Sequence, residues 1–113
     1  MAFHIKNGDT APAYVMDLQD DVDSTPTAIN LTAATSVTFK MRLSGASGAP
    51  AVSAAAAITT PATGRVTYEW DAGDTDVPGT YDAEFQILWS DGTIETVPNE
   101  GYFEIVVGDD LDD

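Results

Sequence analysis

The sequence predicts an all-β fold, a single antiparallel β-sandwich of seven to nine strands. Apolar and polar residues alternate in several short segments, and a repeat of two is typical of strands with one buried face. Clusters of Gly, Pro, Asp and Asn separate these segments, as turns do. At 113 residues the chain has room for one domain, which should bury roughly 65% of its unfolded surface.

Residues 81–89 form the clearest predicted strand and the centre of the fold. Every second residue is apolar: Tyr81, Ala83, Phe85, Ile87 and Trp89. The residues between them are polar except at Leu88. This alternation indicates a long strand whose inner face belongs to the core.

The turn before this strand predicts the type of sandwich. Pro78-Gly79 should form a corner, because Pro fixes φ and Gly tolerates positive φ. Tyr81 follows that corner and stands two residues before Ala83. The tyrosine corner of immunoglobulin-like sandwiches has this layout, with Cys at the Ala83 position in antibody domains. We therefore expect an immunoglobulin-like sandwich with these structural residues: Trp70, Pro78, Gly79, Tyr81, Phe85 and Trp89.

The N-terminal part is predicted as short extended pieces and turns. Residues 2–6 are expected to form an edge strand, and residues 13–18 a second strand. Residues 19–23 are rich in Asp and are expected to be an acidic turn. Residues 24–30 contain Pro26 and are expected to be a loop.

The middle of the chain contains three further predicted strands. In residues 36–43 the inward positions are Val37, Phe39, Met41 and Leu43, and the outer face carries Lys40 and Arg42. Residues 51–57 are rich in Ala but short and uncapped, and they end before a Thr-Thr-Pro sequence, so we expect a strand rather than a helix. Residues 65–70 alternate again and lead into the acidic loop 71–76.

The C-terminal part is predicted to complete the sheet. Asp91-Gly92 suits a hairpin turn because it tolerates positive φ, so residues 93–97 should pair with the central strand. Residues 102–107 are expected to close the sheet. The domain is thus predicted to span residues 1–107, and residues 108–113 are mostly acidic and expected to be a disordered tail.

Charge limits the partners of this protein. The net charge of −15 arises from 19 acidic and four basic side chains. Such a surface repels phosphate backbones and anionic lipids, so we expect neither a nucleic-acid nor a membrane partner. The N-terminus lacks the basic and apolar regions of a signal peptide. The chain has no Cys, which excludes disulfides and a thiol nucleophile.

Few residues point to chemistry. His4 is the single histidine and is expected to have a surface or structural role, since no second imidazole exists to pair with it. Asp71, Asp74 and Asp76 are candidate calcium ligands, because Ca²⁺ prefers several carboxylate oxygens, and Asp20, Asp21 and Asp23 form a second acidic group. Asp is also common in solvated turns, so we expect no cofactor, with calcium as the alternative.

The aromatic residues and paired acids allow other hypotheses. Most aromatics fall on inward positions, whereas Tyr14 and one of Tyr102 and Phe103 are expected to face outward. Two carboxylates at a set distance are enough for a glycosidase. However, such pairs arise by chance among 19 acids, and a small sandwich offers little depth for a cleft. We therefore expect that the protein is not an enzyme.

Several motifs occur along the chain in a defined order. They are FHIKNGDTAP at 3–12, LTAATSVTFKMR at 31–42, GRVTYEW at 64–70, GDT at 73–75, PGTYDAEF at 78–85, DGT at 91–93 and TVPNEGY at 96–102. In order and spacing, residues 3–107 resemble the immunoglobulin-like N-terminal domain of the phage baseplate upper protein family.

The resemblance implies a structural accessory protein of a tailed-phage virion, made in the host cytoplasm. It would attach to the capsid exterior or to the tail and baseplate, in many symmetric copies that contact other virion proteins. A carbohydrate- or host-surface-binding module on the same fold is the alternative. That alternative needs outward aromatic and polar side chains on one face, for which Tyr14 and Tyr102 are the candidates.

Overall fold

The computed structural model describes residues 2–22, 25–98 and 101–109. Within these ranges the chain is an immunoglobulin-like, all-β sandwich of ten strands and one short 3-10 turn at Pro61–Thr63. The strands are β1 (Phe3–Lys6), β2 (Tyr14–Asp17), β3 (Gln19–Val22), β4 (Thr25–Ala28), β5 (Ala34–Leu43), β6 (Val52–Thr60), β7 (Arg65–Tyr68), β8 (Gly79–Trp89), β9 (Ile94–Val97) and β10 (Phe103–Gly108). No helix in the described ranges has the length and hydropathy needed to cross a membrane.

Eight strands are linked by hydrogen bonds, and seven of them follow one continuous path that folds into two layers. Their order is β1-β10-β8-β5-β6-β7-β2, and β9 lies beside β8. Residues 52–56 of β6 pair with β5, whereas residues 57–60 pair with β7. The strand β6 therefore joins the two layers. Its presence confirms the prediction that the Ala-rich segment 51–57 forms a strand.

One strand pair differs from the antiparallel prediction. β1 runs parallel to β10, with Phe3 opposite Ile105. These strands come from opposite ends of the chain, so no tight hairpin forces them to run antiparallel. All other strand pairs in the described ranges are antiparallel.

Aromatic rings from both layers fill the core. Phe39 of β5 stacks on Tyr68 of β7 with ring centroids 4.5 Å apart, and Tyr14 of β2 lies 5.9 Å from Phe85 of β8. Trp70 is buried beside them, and Trp89 is half-buried against the same cluster. Burial of each such side chain stabilises the fold by about 1.5–3 kcal/mol.

The corner before β8 has the geometry that an immunoglobulin-like strand F requires. The Tyr81 hydroxyl donates to the Val77 carbonyl at 2.7 Å, which fixes the chain on the far side of Pro78. Gly79 has φ of 152°, in the region that favours glycine. A Cβ added there would lie 2.9 Å from the Leu43 side chain.

One predicted side-chain direction is wrong, and one residue predicted to lie in the core is partly exposed. Tyr14 was expected to face outward, but it is only 4% exposed and packs against Phe3 and Phe39. Burial raises the pKa of Tyr14 to about 12. Leu43 was expected to face the core, but it is 38% exposed because it ends β5 beside the corner.

The predictions of an acidic turn at 19–23 and a loop at 24–30 are wrong for residues 19–22 and 25–28, and Asp23 and Ser24 lie outside the described residues. The strands β3 and β4 instead form a two-stranded ribbon, in which Asp21 lies opposite Pro26. Each strand of such a ribbon has an unpaired edge, which accommodates a proline. The residues of β4 are exposed, so no apolar alternation marks this ribbon in the sequence.

The predicted boundary between domain and tail lies too early. Gly108 belongs to β10, and its carbonyl accepts a hydrogen bond from the Asn7 backbone N–H at 2.7 Å. The Lys6 ammonium also donates to the Asp109 carbonyl at 3.3 Å. The rest of the predicted tail, residues 110–113, and Met1 lie outside the described residues.

Candidate functional site

The outer face of β5 and β8 carries a hollow of about 90 Å³, here called the outer-face hollow. It is lined by Lys40, Met41, Arg42, Pro50, Asp82, Glu84 and Tyr102. Two of the four basic residues of this acidic chain therefore lie together in one place.

Strand alternation positions the charged groups of the hollow. The core side chains Phe39 and Met41 point inward from β5, so Lys40 and Arg42 lie on the outer face. On β8 the same alternation places Asp82 and Glu84 outward. The pairing register sets Lys40 opposite Glu84 and Arg42 opposite Asp82.

These four groups are not closed into tight ion pairs. Within the described ranges, the one ion pair with nitrogen and oxygen within 4.0 Å joins Arg65 to Asp17 on the opposite layer. Arg42 uses one Nη1–H to donate to the Gly48 carbonyl at 3.3 Å, which holds the 44–50 connection at the rim of the hollow. Arg42 and Lys40 retain further donors, and Asp82 and Glu84 retain acceptors.

Tyr102 supplies an aromatic surface at the same hollow. Its side chain is 53% exposed, whereas the neighbouring Phe103 is half-buried against the core. The prediction that one of this pair faces outward is therefore confirmed, and the outward residue is Tyr102. The hollow thus combines hydrogen-bond donors, acceptors and an apolar ring face, which suits reversible binding of a small polar ligand.

The predicted calcium loop has a role inside the fold. The Asp74 carboxylate accepts hydrogen bonds from the Tyr68 hydroxyl and, at 2.9 Å, from the Asp71 amide. The Asp76 carbonyl accepts from the Asn7 side chain at 3.2 Å. The bond from Tyr68 attaches the loop to β7, and the bond from Asn7 attaches it to the turn that follows β1.

The described residues contain no group of three or more His, Cys, Asp or Glu side chains arranged to hold a metal ion. Such a group is therefore not formed by Asp71, Asp74 and Asp76. Calcium binding at this loop stays a hypothesis. In the second acidic group, Asp20 and Asp21 lie on β3, and Asp23 lies outside the described residues.

His4 lies exposed on β1 beside a second hollow of about 300 Å³. Lys6, Asp9, Pro12 and Val106 contribute to its lining. The His4 imidazole is its one aromatic ring among the described lining residues, with no Phe, Tyr or Trp beside it, and its Lys6 ammonium already contacts the Asp109 carbonyl. We therefore regard the outer-face hollow as the better candidate site, because it combines two basic and two acidic side chains with the exposed phenol ring of Tyr102.

One acidic pair is not predicted by the sequence. Glu95 of β9 lies close to Asp20 of β3, and burial together with this neighbouring carboxylate raises the pKa of Glu95. Separate predicted segments carry these two residues, and only the position of the β3–β4 ribbon brings them together.

The outer-face hollow was missed for a related reason. Alternation alone places Lys40 and Arg42 on one polar face and Asp82 and Glu84 on another. Their meeting depends on the pairing of β5 with β8, which is a long-range register that no local pattern specifies. An assumed pairing of β5 with β8, the two strands whose alternation is clearest, would have predicted the hollow.

Comparison with known proteins establishes the fold. No protein-family model and no curated protein sequence matches the chain. Among solved structures, CopC from Methylosinus trichosporium OB3b is similar, with a TM-score of 0.50 and 15% sequence identity. The match covers 96% of this chain and 84% of that one. At this identity the likeness shows a shared all-β sandwich fold and nothing about activity.

Proposed function

We propose that this protein is a non-enzymatic structural accessory protein of a tailed-phage virion, attached to the capsid exterior or to the tail and baseplate. The proposal is based on the order and spacing of motifs over residues 3–107, which resemble the phage baseplate upper protein family. Its partners would be other virion proteins, present in many symmetric copies whose weak contacts add up to avidity.

The observation that carries a protein-binding role is the set of apolar side chains on edge strands. Within the described residues, β2 pairs only with β7, and β9 pairs only with β8. Val15 on β2 is 50% exposed and Ile94 on β9 is 61% exposed. Unpaired strand edges accept a strand from a partner, and adjacent apolar side chains add contact area.

Quantitative mass spectrometry of purified phage particles from the source tests the proposal. A copy number close to that of the major shell protein would indicate capsid decoration, and a low copy number would indicate the tail or baseplate. Absence from the particles would refute the virion role.

Edge-strand variants test the attachment surface. We expect Val15→Asp or Ile94→Asp to reduce the copy number per particle, because a charge opposes burial at an interface. Ser53→Asp, at an exposed position on β6, is the control for the added charge. Equal copy numbers in all three variants would contradict attachment through these edges.

The second candidate is a carbohydrate- or host-surface-binding module. The exposed Tyr102 beside the charged outer-face hollow favours it. The burial of Tyr14 removes the other predicted aromatic platform, so any such activity depends on one face alone. Binding of purified protein to host cells, compared with cells lacking surface polysaccharide, tests this candidate.

A further inference from the structure

We propose that the outer-face hollow binds a neutral saccharide unit, with Tyr102 as the stacking surface and the four charged side chains as hydrogen-bonding partners. This inference rests on the second candidate function and gives it a site and a class of ligand. Attachment to a virion does not depend on it.

Tyr102 matches the apolar part of such a ligand. One face of a pyranose ring presents C–H groups, and an aromatic ring face carries the complementary partial negative charge. Tyr102 is 53% exposed and lines the hollow, so its surface is available for stacking without any opening of the fold. A Tyr ring also loses little conformational entropy when it is covered.

The charged side chains match the hydroxyl groups. Neighbouring sugar hydroxyls each donate and accept, so they need both kinds of partner close together. The planar Arg42 guanidinium and the Lys40 ammonium are donors, and the Asp82 and Glu84 carboxylates are acceptors. Side chains directly opposite on paired strands lie about 4.5–5.5 Å apart at Cβ, a distance comparable with the width of a sugar ring.

The charge balance favours a neutral ligand. Two basic and two acidic side chains line the hollow, so their formal charges cancel. The whole chain carries a net charge of −15, and its field repels anions from the surface. A phosphate or carboxylate ligand is therefore disfavoured, although Lys40 and Arg42 alone would suit one.

The four charged residues of the hollow lie on paired strands. Both β5 and β8 are paired on each side, β5 with β6 and β8, and β8 with β5 and β10. The Arg42–Gly48 hydrogen bond holds the adjoining connection. Groups fixed in this way lose less freedom on binding, which favours a weak but specific site.

Titration of ¹⁵N-labelled full-length protein, followed by amide chemical shifts, tests the proposal. The probes are glucose, galactose, rhamnose and N-acetylglucosamine, with inorganic phosphate and tetramethylammonium as charged probes. For at least one sugar we expect saturable shifts grouped at residues 40–42, 82–84 and 102, with a Kd of the order of millimolar.

Three variants identify the contribution of the ring. We expect Tyr102→Ala to weaken binding about tenfold or more, and Tyr102→Phe to retain it, since stacking needs the ring rather than the hydroxyl. Ile94→Ala removes an exposed apolar side chain outside the hollow and should leave binding unchanged. Tyr102 is exposed, so its replacement should preserve the folded spectrum.

Four outcomes would overturn the proposal. The first is the absence of shifts with every sugar up to about 50 mM, well above the expected Kd, and the second is shifts with phosphate or tetramethylammonium only. The third is that Tyr102→Ala binds the sugar as tightly as the unmodified protein. The fourth is that the sugar-dependent shifts are confined to another face. That last result would leave the carbohydrate-binding function standing and reject this site alone. If the protein bound host cells but no sugar, the host-surface-binding function would stand and the saccharide site would be rejected.

Discussion

The Tyr68 hydroxyl donates a hydrogen bond to the Asp74 carboxylate, and this contact fastens the acidic loop 71–76 to the core. The Tyr68 ring is buried against Phe39, so its hydroxyl depends on this partner. Burial and the Asp74 hydrogen bond raise the pKa of Tyr68. Asp74, which the sequence suggests as a calcium ligand, thus stabilises the fold.

Replacement of Asp74 should destabilise the protein. We expect Asp74→Ala to lower the free energy of unfolding by about 1–3 kcal/mol, because it leaves the Tyr68 hydroxyl without its partner. Urea denaturation measures the change. Asp71→Ala is the control, since the Asp71 side chain is exposed and its loss should cost less than about 0.5 kcal/mol. Equal losses in both variants would contradict this assignment, and a calcium-dependent rise in Tm that Asp76→Asn abolishes would favour a cation site.

The tyrosine corner can be tested by removing one hydroxyl. Tyr81→Phe keeps the buried ring but deletes the hydrogen bond to the Val77 carbonyl. We expect a loss of about 1 kcal/mol in the free energy of unfolding. Tyr102→Phe deletes the hydroxyl of an exposed tyrosine and should have no measurable effect. An unchanged midpoint of denaturation in Tyr81→Phe would show that this bond does not stabilise the corner.

Gly79 combines two constraints that a double mutant separates. Gly79→Ala should destabilise the domain by about 1 kcal/mol or more, because φ is 152° and the new Cβ would approach Leu43 Cδ2 to 2.9 Å. In a Leu43→Ala background that contact is absent, so the remaining cost should reflect the backbone alone. A Gly79→Ala cost that is the same in both backgrounds would exclude the steric contribution.

The sequence predicts those parts of the fold whose signal is local. β5 and β8 each bury one face, and their alternation is therefore visible. In β2, apolar residues lie on both faces, since Tyr14 is buried while Val15 is exposed. The sequence of β2 therefore does not indicate which of its faces is buried. The burial of Tyr14 follows only from packing against the opposite layer. The outer-face hollow and the Asp20–Glu95 contact are long-range in the same sense.

The C-terminal boundary gives a prediction with a built-in comparison. Deletion of residues 110–113 should leave Tm unchanged, because that segment is almost entirely acidic and offers little to bury. Deletion of residues 108–113 should lower Tm, because it removes the Gly108 carbonyl that accepts from Asn7. Thermal unfolding of both truncated proteins tests this. Equal Tm values would place the end of the folded domain before Gly108.

Glu95 makes stability depend on pH in a defined direction. Burial and the Asp20 carboxylate raise the pKa of Glu95 above its ordinary value, so the folded state holds the proton more tightly than the unfolded state. The stabilisation from Glu95 is then fully present below the unfolded pKa. It is lost as the pH rises through the folded pKa. At neutral pH, ionised Glu95 is therefore less favourable in the folded state than protonated Glu95 would be.

Glu95→Gln should therefore stabilise the protein at pH 7, by less than about 1 kcal/mol because solvent screens the group. The gain should disappear below about pH 4, where Glu95 itself is protonated in both states. Glu69→Gln removes one charge at an exposed position. It is the control for the weaker charge repulsion that follows from removing any one acid from a chain with net charge −15. Urea denaturation across this pH range gives the difference between the two variants. A difference that is independent of pH would show that Glu95 does not titrate differently in the folded and unfolded states.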